Sequence, residues 1–222
     1  MFRDFTSELS TNLIDCFRGR NLLWHAAAIG LTFLLVTTGF DWWFYEVTRS
    51  PLFYWFVRFA GIGGFFLPVL VSIALYAVGE MRQNRRMQHT ARAVAQAIII
   101  ASLIAAAYKS FTGRVEPPFA FVGTIDNSHE FNWGFLEYGI FWGWPSSHAT
   151  VAFAGTAAFA YMNRNKALRM IALFYAIVIG SAAAIGFHWL SDVVAGMLLG
   201  IMIGTTVARY AERPSEPEIR TS

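Results

Sequence analysis

Hydrophobic residues in this chain fall into six long runs divided by polar, charged or aromatic breaks, with no period-two alternation. Runs of that length predict membrane-crossing helices. They cover 22–40, 59–79, 93–108, 146–162, 170–187 and 189–208. The third is short, but its 16 residues rise roughly 24 Å, enough if Arg92 and Lys109 extend their charged ends outward.

The breaks have characters of their own. Residues 1–20 mix charges of both signs and are expected to lie along the inner membrane surface. They carry no pattern of a cleavable signal, so the first run is read as a retained anchor. His25 inside that run is expected to be a packing histidine. Residues 41–58 hold Trp42, Trp43, Tyr45, Tyr54 and Trp55 around Asp41, Glu46, Arg49 and Arg58, the pattern of an interfacial connector with rings at headgroup level. The stretch 109–145 is the longest connection. Its Pro117, Pro118, Asp126, His129, Glu130 and Glu137 make it too polar to span, and a loop of that length is expected to carry function. The tail from Arg209, with Pro214 and Pro217, is expected to be disordered. No internal repeat is visible, so residues 1–222 are read as a single membrane domain.

Composition agrees with the pattern. Of the 222 residues 56% are hydrophobic and 14% charged, beyond what a soluble domain carries. The predicted fold class is all-α, an integral membrane bundle of six transmembrane helices. The single cysteine, Cys16, excludes an intrachain disulfide. Segments 1–21, 80–92, 163–169 and 209–222 hold thirteen of the seventeen Lys and Arg. By the positive-inside rule both termini are cytoplasmic. Lys109, Arg114, His148 and His188 then all fall at the outer face, a convergence that was not an input to the span assignment.

These four residues, with Asp192, Ser146 and Ser147, carry the candidate chemistry. His188 and Asp192 are four apart at the head of the sixth run and share a helical face. A carboxylate there can accept from one imidazole nitrogen and leave the other as a nucleophile. The same row continues through Gly196, Gly200 and Gly204, a small-residue stripe that lets a neighbouring helix approach. The alternative for the pair is a structural polar contact. Trp144-Pro145-Ser146-Ser147-His148 opens the fourth run. With Pro145 in the first turn, the free N–H groups of Ser146, Ser147 and His148 form an anion site, and His148 can protonate a leaving alkoxide. Lys109 and Arg114 add a point charge and a planar fork suited to phosphate oxygens.

Lys109 followed by Gly113-Arg114 and Pro117, then Pro145-Ser-Ser-His148, then Ser181 with His188 and Asp192, resembles the type-2 phosphatidic acid phosphatase superfamily. Its motifs are Lys, six residues, Arg-Pro; then Pro-Ser-Gly-His; then Ser-Arg, five residues, His, three residues, Asp. The resemblance implies that His188 attacks phosphorus, Asp192 orients it and His148 protonates the leaving group. Lys109, Ser146 and Ser147 would hold phosphate oxygens.

Three positions depart from that pattern: Glu116 and Ala182 stand where the motifs have arginine, and Ser147 where motif two has glycine. Three readings follow. Arg114 takes over phosphate binding, with Glu116 anchoring it or meeting a cationic group; the substrate or a bridging metal supplies neutralisation; or the site binds lipid without turnover. The complete His148, His188 and Asp192 set favours the first. Glu116 and His129 are candidate pocket residues, and with Asp126 and Glu130 they could bind a divalent ion, though the irregular spacing favours solvent-facing side chains for His129, Asp126 and Glu130.

The expected function is hydrolysis of a phosphate monoester or diphosphate on a membrane lipid through a phosphohistidine, with phosphotransfer, or lipid binding or transport on the same scaffold, as alternatives. The substrate is a lipid phosphate in a bilayer; no cofactor, metal or nucleic-acid partner is expected. The expected location is a bacterial inner membrane with the site facing the periplasm.

Overall fold

The computed structural model describes residues 2–118 and 125–213, so the expectation for the tail beyond Arg213 lies outside the described residues. Among the described residues eight helices appear in the order α1 (Phe2–Cys16), α2 (Asn21–Thr37), α3 (Phe40–Thr48), α4 (Tyr54–Met81), α5 (Arg85–Thr112), α6 (Ser147–Met162), α7 (Lys166–Gly186) and α8 (Leu190–Ala211). A short 3₁₀ turn, Pro51–Phe53, precedes α4. Among the described residues the only extended pairing is an isolated bridge between Arg114 and Phe131. The fold is all-helical.

The helices outrun the hydrophobic runs. α5 begins at Arg85, eight residues before the third apolar run, because Asn84 caps it by accepting the Met87 N–H and the basic first turns continue the same hydrogen-bonded spiral. The region 80–92 is therefore mostly helix, with a turn at Arg82–Asn84. Likewise α7 starts at Lys166, where Asn165 accepts the Ala167 and Leu168 N–H groups at 2.9 and 3.3 Å. The aromatic connector is not irregular either. Gly39, at φ +71°, ends α2, and the chain re-enters helix at once as α3.

α4, α5, α7 and α8 are each long and apolar enough to cross a membrane, and the pair α1–α2, bent by 57°, would make a fifth crossing. α6, with 16 residues, is not among the helices long enough to cross. α1 does not lie free of the bundle. Its Asn12 is fully buried and donates to Gln96 of α5 at 2.8 Å, and Gln96 donates in turn to Glu8 at 2.9 Å. His25 is a packing histidine: Nδ1 meets the Tyr108 hydroxyl at 2.7 Å and Nε2 the Cys16 carbonyl at 3.0 Å.

The centre of the bundle is the seam between α6 and α8. A Cβ added to Gly196 would stand 2.7 Å from the Ser146 carbonyl oxygen, and one on Gly200 2.5 Å from that of Thr150. The stripe thus brings two backbones into contact, as its spacing predicts. α5 closes this core from one side with Ala97, Ile100, Ala101 and Ile104. α4 is different. Phe59, Phe65, Phe66, Leu70 and Ile73 are all more than half exposed, an apolar face suited to lipid.

Candidate active site

The end of α5, the start of α6, the α7–α8 junction and the start of α3 meet at one end of the bundle. Each is held there by its own backbone chemistry. Gly113, at φ +42°, ends α5 where a Cβ would stand 2.6 Å from the Asn132 carbonyl oxygen, so the chain can turn straight into the loop. The loop is tied down by the Val115 N–H to the Glu130 carbonyl (3.1 Å), Leu136 N–H to Ser110 (2.7 Å), Trp189 Nε1 to Val115 (2.8 Å) and the Tyr45 hydroxyl to Pro118 (2.7 Å). Trp144 closes it, donating to Thr32 at 2.8 Å while its carbonyl accepts from Thr112 at 3.0 Å.

The peptide Trp144–Pro145 is cis, and Pro145 stands before the cap of α6 rather than inside its first turn. Ser146 is that cap, with Oγ accepting the Ala149 N–H at 3.4 Å. Its own N–H is not free, because it donates to the Asp192 carbonyl at 3.0 Å. Ser146 therefore joins α6 to α8. Among the described residues the N–H groups of Ser147 and His148 are the ones left at this helix start, two donors rather than the three expected.

His188 lies between α7 and α8, 4% exposed, with its N–H on the Ala183 carbonyl at 2.9 Å. Its Nδ1 stands 3.5 Å from Asp192 Oδ2. That is an ion-pair distance and long for a hydrogen bond, and Nδ1 has no hydrogen-bond partner. Burial pulls the imidazole below its ordinary value, against the opposing Asp192 carboxylate. His148 faces it from α6, ring centroids 6.5 Å apart, with Phe187 at 4.9 Å from His148. The opposite side of His148 meets α4, where a Cβ on Gly64 would stand 3.3 Å from the ring. His148 Nδ1 has no hydrogen-bond partner.

Lys109, in the last turn of α5, is 1% exposed and donates to the Phe141 carbonyl at 2.8 Å, leaving two ammonium N–H groups unassigned. Glu116 lies within electrostatic reach of Lys109 and Asp192. Burial raises its carboxyl to about 7, against the pull of Lys109 and with the push of Asp192. His129 is exposed. Among the described residues no three His, Cys, Asp or Glu side chains form a group able to hold a metal ion.

Arg114 departs most from expectation. Its guanidinium has five N–H donors, and the protein takes all of them. Nε and Nη2 donate to the Ser128 carbonyl at 3.2 and 2.6 Å, and Nη2 also donates to Asp41 Oδ2 at 2.8 Å. Nη1 donates to Ser191 Oγ at 2.7 Å and to Asp192 Oδ1. No donor remains for a phosphate oxygen. The fork that suits phosphate suits carboxylates equally, and here two carboxylates have it. Ala182, at the other lost arginine position, is buried in the apolar cluster of Ala152, Phe153, Ile179 and Val193.

Asp41, Ser191 and Ser128 are the site residues that sequence reasoning passed over. Asp41 accepts the Ser191 N–H at 2.8 Å as well as the Ser191 hydroxyl and Arg114, and its side chain is wholly buried. The available signal was an acidic residue among aromatics in a chain poor in charge.

No curated protein and no solved structure matches this chain. The family model of the PAP2 superfamily matches residues 90–215, which include Lys109, His148, His188 and Asp192. With more than half its length covered and its polar residues gathered at one end of a helical bundle, the chain belongs to the PAP2 superfamily.

Proposed function

We propose that the protein is an integral membrane phosphatase that cleaves a phosphate monoester or diphosphate of a membrane lipid through a phosphohistidine. The observation that carries this reading is the placement of His188, with Asp192 behind it, opposite His148 and close to Lys109. In this reading the chain crosses the membrane six times, α2 and α6 included, with both termini cytoplasmic and the site at the periplasmic face of a bacterial inner membrane. The crowding of Lys and Arg into the segments at the other end supports that orientation.

The reaction follows from the groups present. Nδ1 of His188 keeps its proton toward Asp192, so the Nε2 lone pair attacks phosphorus. The P–O bond to the lipid breaks, and protonated His148 gives its proton to the leaving oxygen. The two N–H groups at the start of α6 and the two unassigned donors of Lys109 hold the phosphoryl oxygens. Water then attacks the phosphohistidine, His148 takes its proton, the P–N bond breaks and inorganic phosphate leaves.

The test is phosphate release from phosphatidate, phosphatidylglycerophosphate, polyprenyl diphosphate and lipid A by purified protein in detergent, wild type beside His188→Ala. Release by the wild type and none by the variant is the expected result. Release that survives in His188→Ala contradicts the nucleophile. A substrate consumed without free phosphate would mean transfer to a second alcohol.

A further inference from the structure

Two carboxylates, Asp41 and Asp192, share the single guanidinium of Arg114 in a cluster with almost no solvent contact. The charge count of that cluster has a consequence for His188. Arg114 paired with Asp192 alone would be neutral, and the carboxylate facing the imidazole would be largely cancelled by the cation bound to its other oxygen. With Asp41 on the far side of Arg114 the cluster carries one net negative charge. That surplus is expressed where no cation is already engaged, at Asp192 Oδ2, which faces His188 Nδ1 and also accepts the Trp189 N–H at 3.1 Å.

We infer that Asp41 is a positioning residue for His188, acting through Arg114 to fix the Asp192 carboxylate and to leave it an uncompensated negative charge for the imidazole. Arg114 is correspondingly a bracket between α3, the 126–131 segment and α8. The geometry behind this is specific. Asp41 holds the Ser191 N–H and hydroxyl, Ser191 Oγ accepts from Arg114, and Arg114 donates to Asp192. In a medium of low dielectric such a charge is felt across several ångströms.

The surplus bears on the reaction proposed above, and the inference rests on that reading for its kinetic consequence. When Nε2 bonds to phosphorus the His188 ring becomes cationic, and the cluster's negative charge is its counter-ion. The other charged groups facing His188 are Lys109 from α5, Arg114 itself, His148 from α6 when protonated, and Glu116 from the loop through its coupling to Lys109 and Asp192. Lys109 and Arg114 oppose an imidazolium. Against these two cations Asp192 alone falls one charge short, and Asp41 makes up the difference.

The experiment reads His188 directly, so that it stands apart from turnover. Full-length protein labelled with [¹⁵N]histidine is titrated in detergent micelles without substrate, and the His188 signal is assigned from its loss in His188→Gln. Asp41→Asn is expected to weaken proton binding at His188 roughly three- to tenfold, less than the tenfold or more lost with a directly contacting charge. The acid limb of kcat/KM should move to lower pH by the same amount, and kcat should fall while KM changes little. The double variant Asp41→Asn/Arg114→Gln removes one charge of each sign and leaves Asp192 uncancelled. Its His188 should bind a proton at least as tightly as in the wild type. A role in packing alone gives the opposite order, with the double variant worse than the single one. An unchanged His188 titration in Asp41→Asn, or no recovery in the double variant, overturns the inference. If Asp41→Asn fails to assemble, the double variant against wild type decides alone, because a His188 that binds its proton more weakly there contradicts the charge count. A titration that shifts as stated in a protein that releases no phosphate from any lipid would sink the proposed function and leave the inference standing.

Discussion

The two walls of the pocket are built on opposite plans. On the α3–α8 wall the guanidinium and both carboxylates have partners, while His188 Nδ1 beside them has no hydrogen-bond partner. Arg114 spends five N–H groups, Asp41 accepts from Ser191 and Arg114, and Asp192 accepts from Arg114 and Trp189. On the α5–α6 wall donors are left over at Lys109, Ser147 and His148, and His148 Nδ1 has no partner. A saturated wall cannot take a ligand but can hold a nucleophile still. An unsaturated wall carries the cost of buried polar groups without partners, a cost that a phosphate removes. Opposite walls for holding and for binding are what the proposed phosphoryl transfer requires.

Substitutions should separate the two plans. On the saturated wall Asp192→Asn is expected to lower kcat by roughly 10³ to 10⁴, the scale of losing the carboxylate that orients a catalytic imidazole, with little change in KM. On the open wall Lys109→Met should cost about 10² to 10³ in kcat/KM, through both parameters, because its charge meets phosphate in the ground state and in the transition state. Steady-state kinetics on one lipid phosphate checks both. If Lys109→Met and Asp192→Asn show the same split, the distinction between the walls fails.

The seam that carries both walls sets the next effect. Gly200→Val places atoms where a Cβ already stands 2.5 Å from the Thr150 carbonyl oxygen and 2.9 Å from the Ala154 nitrogen, both backbone. Overpacking of this kind costs about 1–3 kcal/mol or more, and a fall in the thermal midpoint of the detergent-solubilised protein should report it. Gly63→Ala, with nothing near its Cβ on the loosely packed α4, should leave the midpoint unchanged. The smallest effect concerns pH. Burial holds the Glu116 carboxyl at about 7, so it is protonated below that pH and ionised above it. An ionised Glu116 repels phosphate. Wild type should therefore lose kcat/KM relative to Glu116→Gln, a few-fold, as pH rises through 7, while the two agree below 6. Parallel profiles would remove Glu116 from the open wall.

Much of this could be read along the chain, and the limits were physical. Apolar runs mark the segments that avoid water, and those located α2 and α4 to α8. Hydropathy is blind to where a helix ends, so Arg85–Arg92 and Lys166–Arg169 fall in the breaks between apolar runs although Asn84 and Asn165 start helices there. The row Asp192, Gly196, Gly200, Gly204 was legible because its period is local, and it proved to be the face that packs on α6. The partner of Arg114 was not legible. Asp41 lies 73 residues away, and a guanidinium gives no sign in sequence of whether phosphate or carboxylate will occupy it. Ser146 reads one step too far into the helix: Pro145 is expected in the first turn, whereas Ser146 is the cap, and the pairing of its N–H with the Asp192 carbonyl depends on the close approach of α6 and α8.

The central claim is that His188 forms the bond to phosphorus, and covalent trapping tests it most directly. Protein is mixed with a lipid carrying a labelled phosphate, quenched in alkali within a turnover, digested and mapped by mass spectrometry. The account requires an alkali-stable, acid-labile phosphoryl group on the peptide containing His188, and its absence in His188→Ala. A phosphoryl group on His148, Ser146 or Ser147, or turnover with no labelled peptide at all, would contradict it.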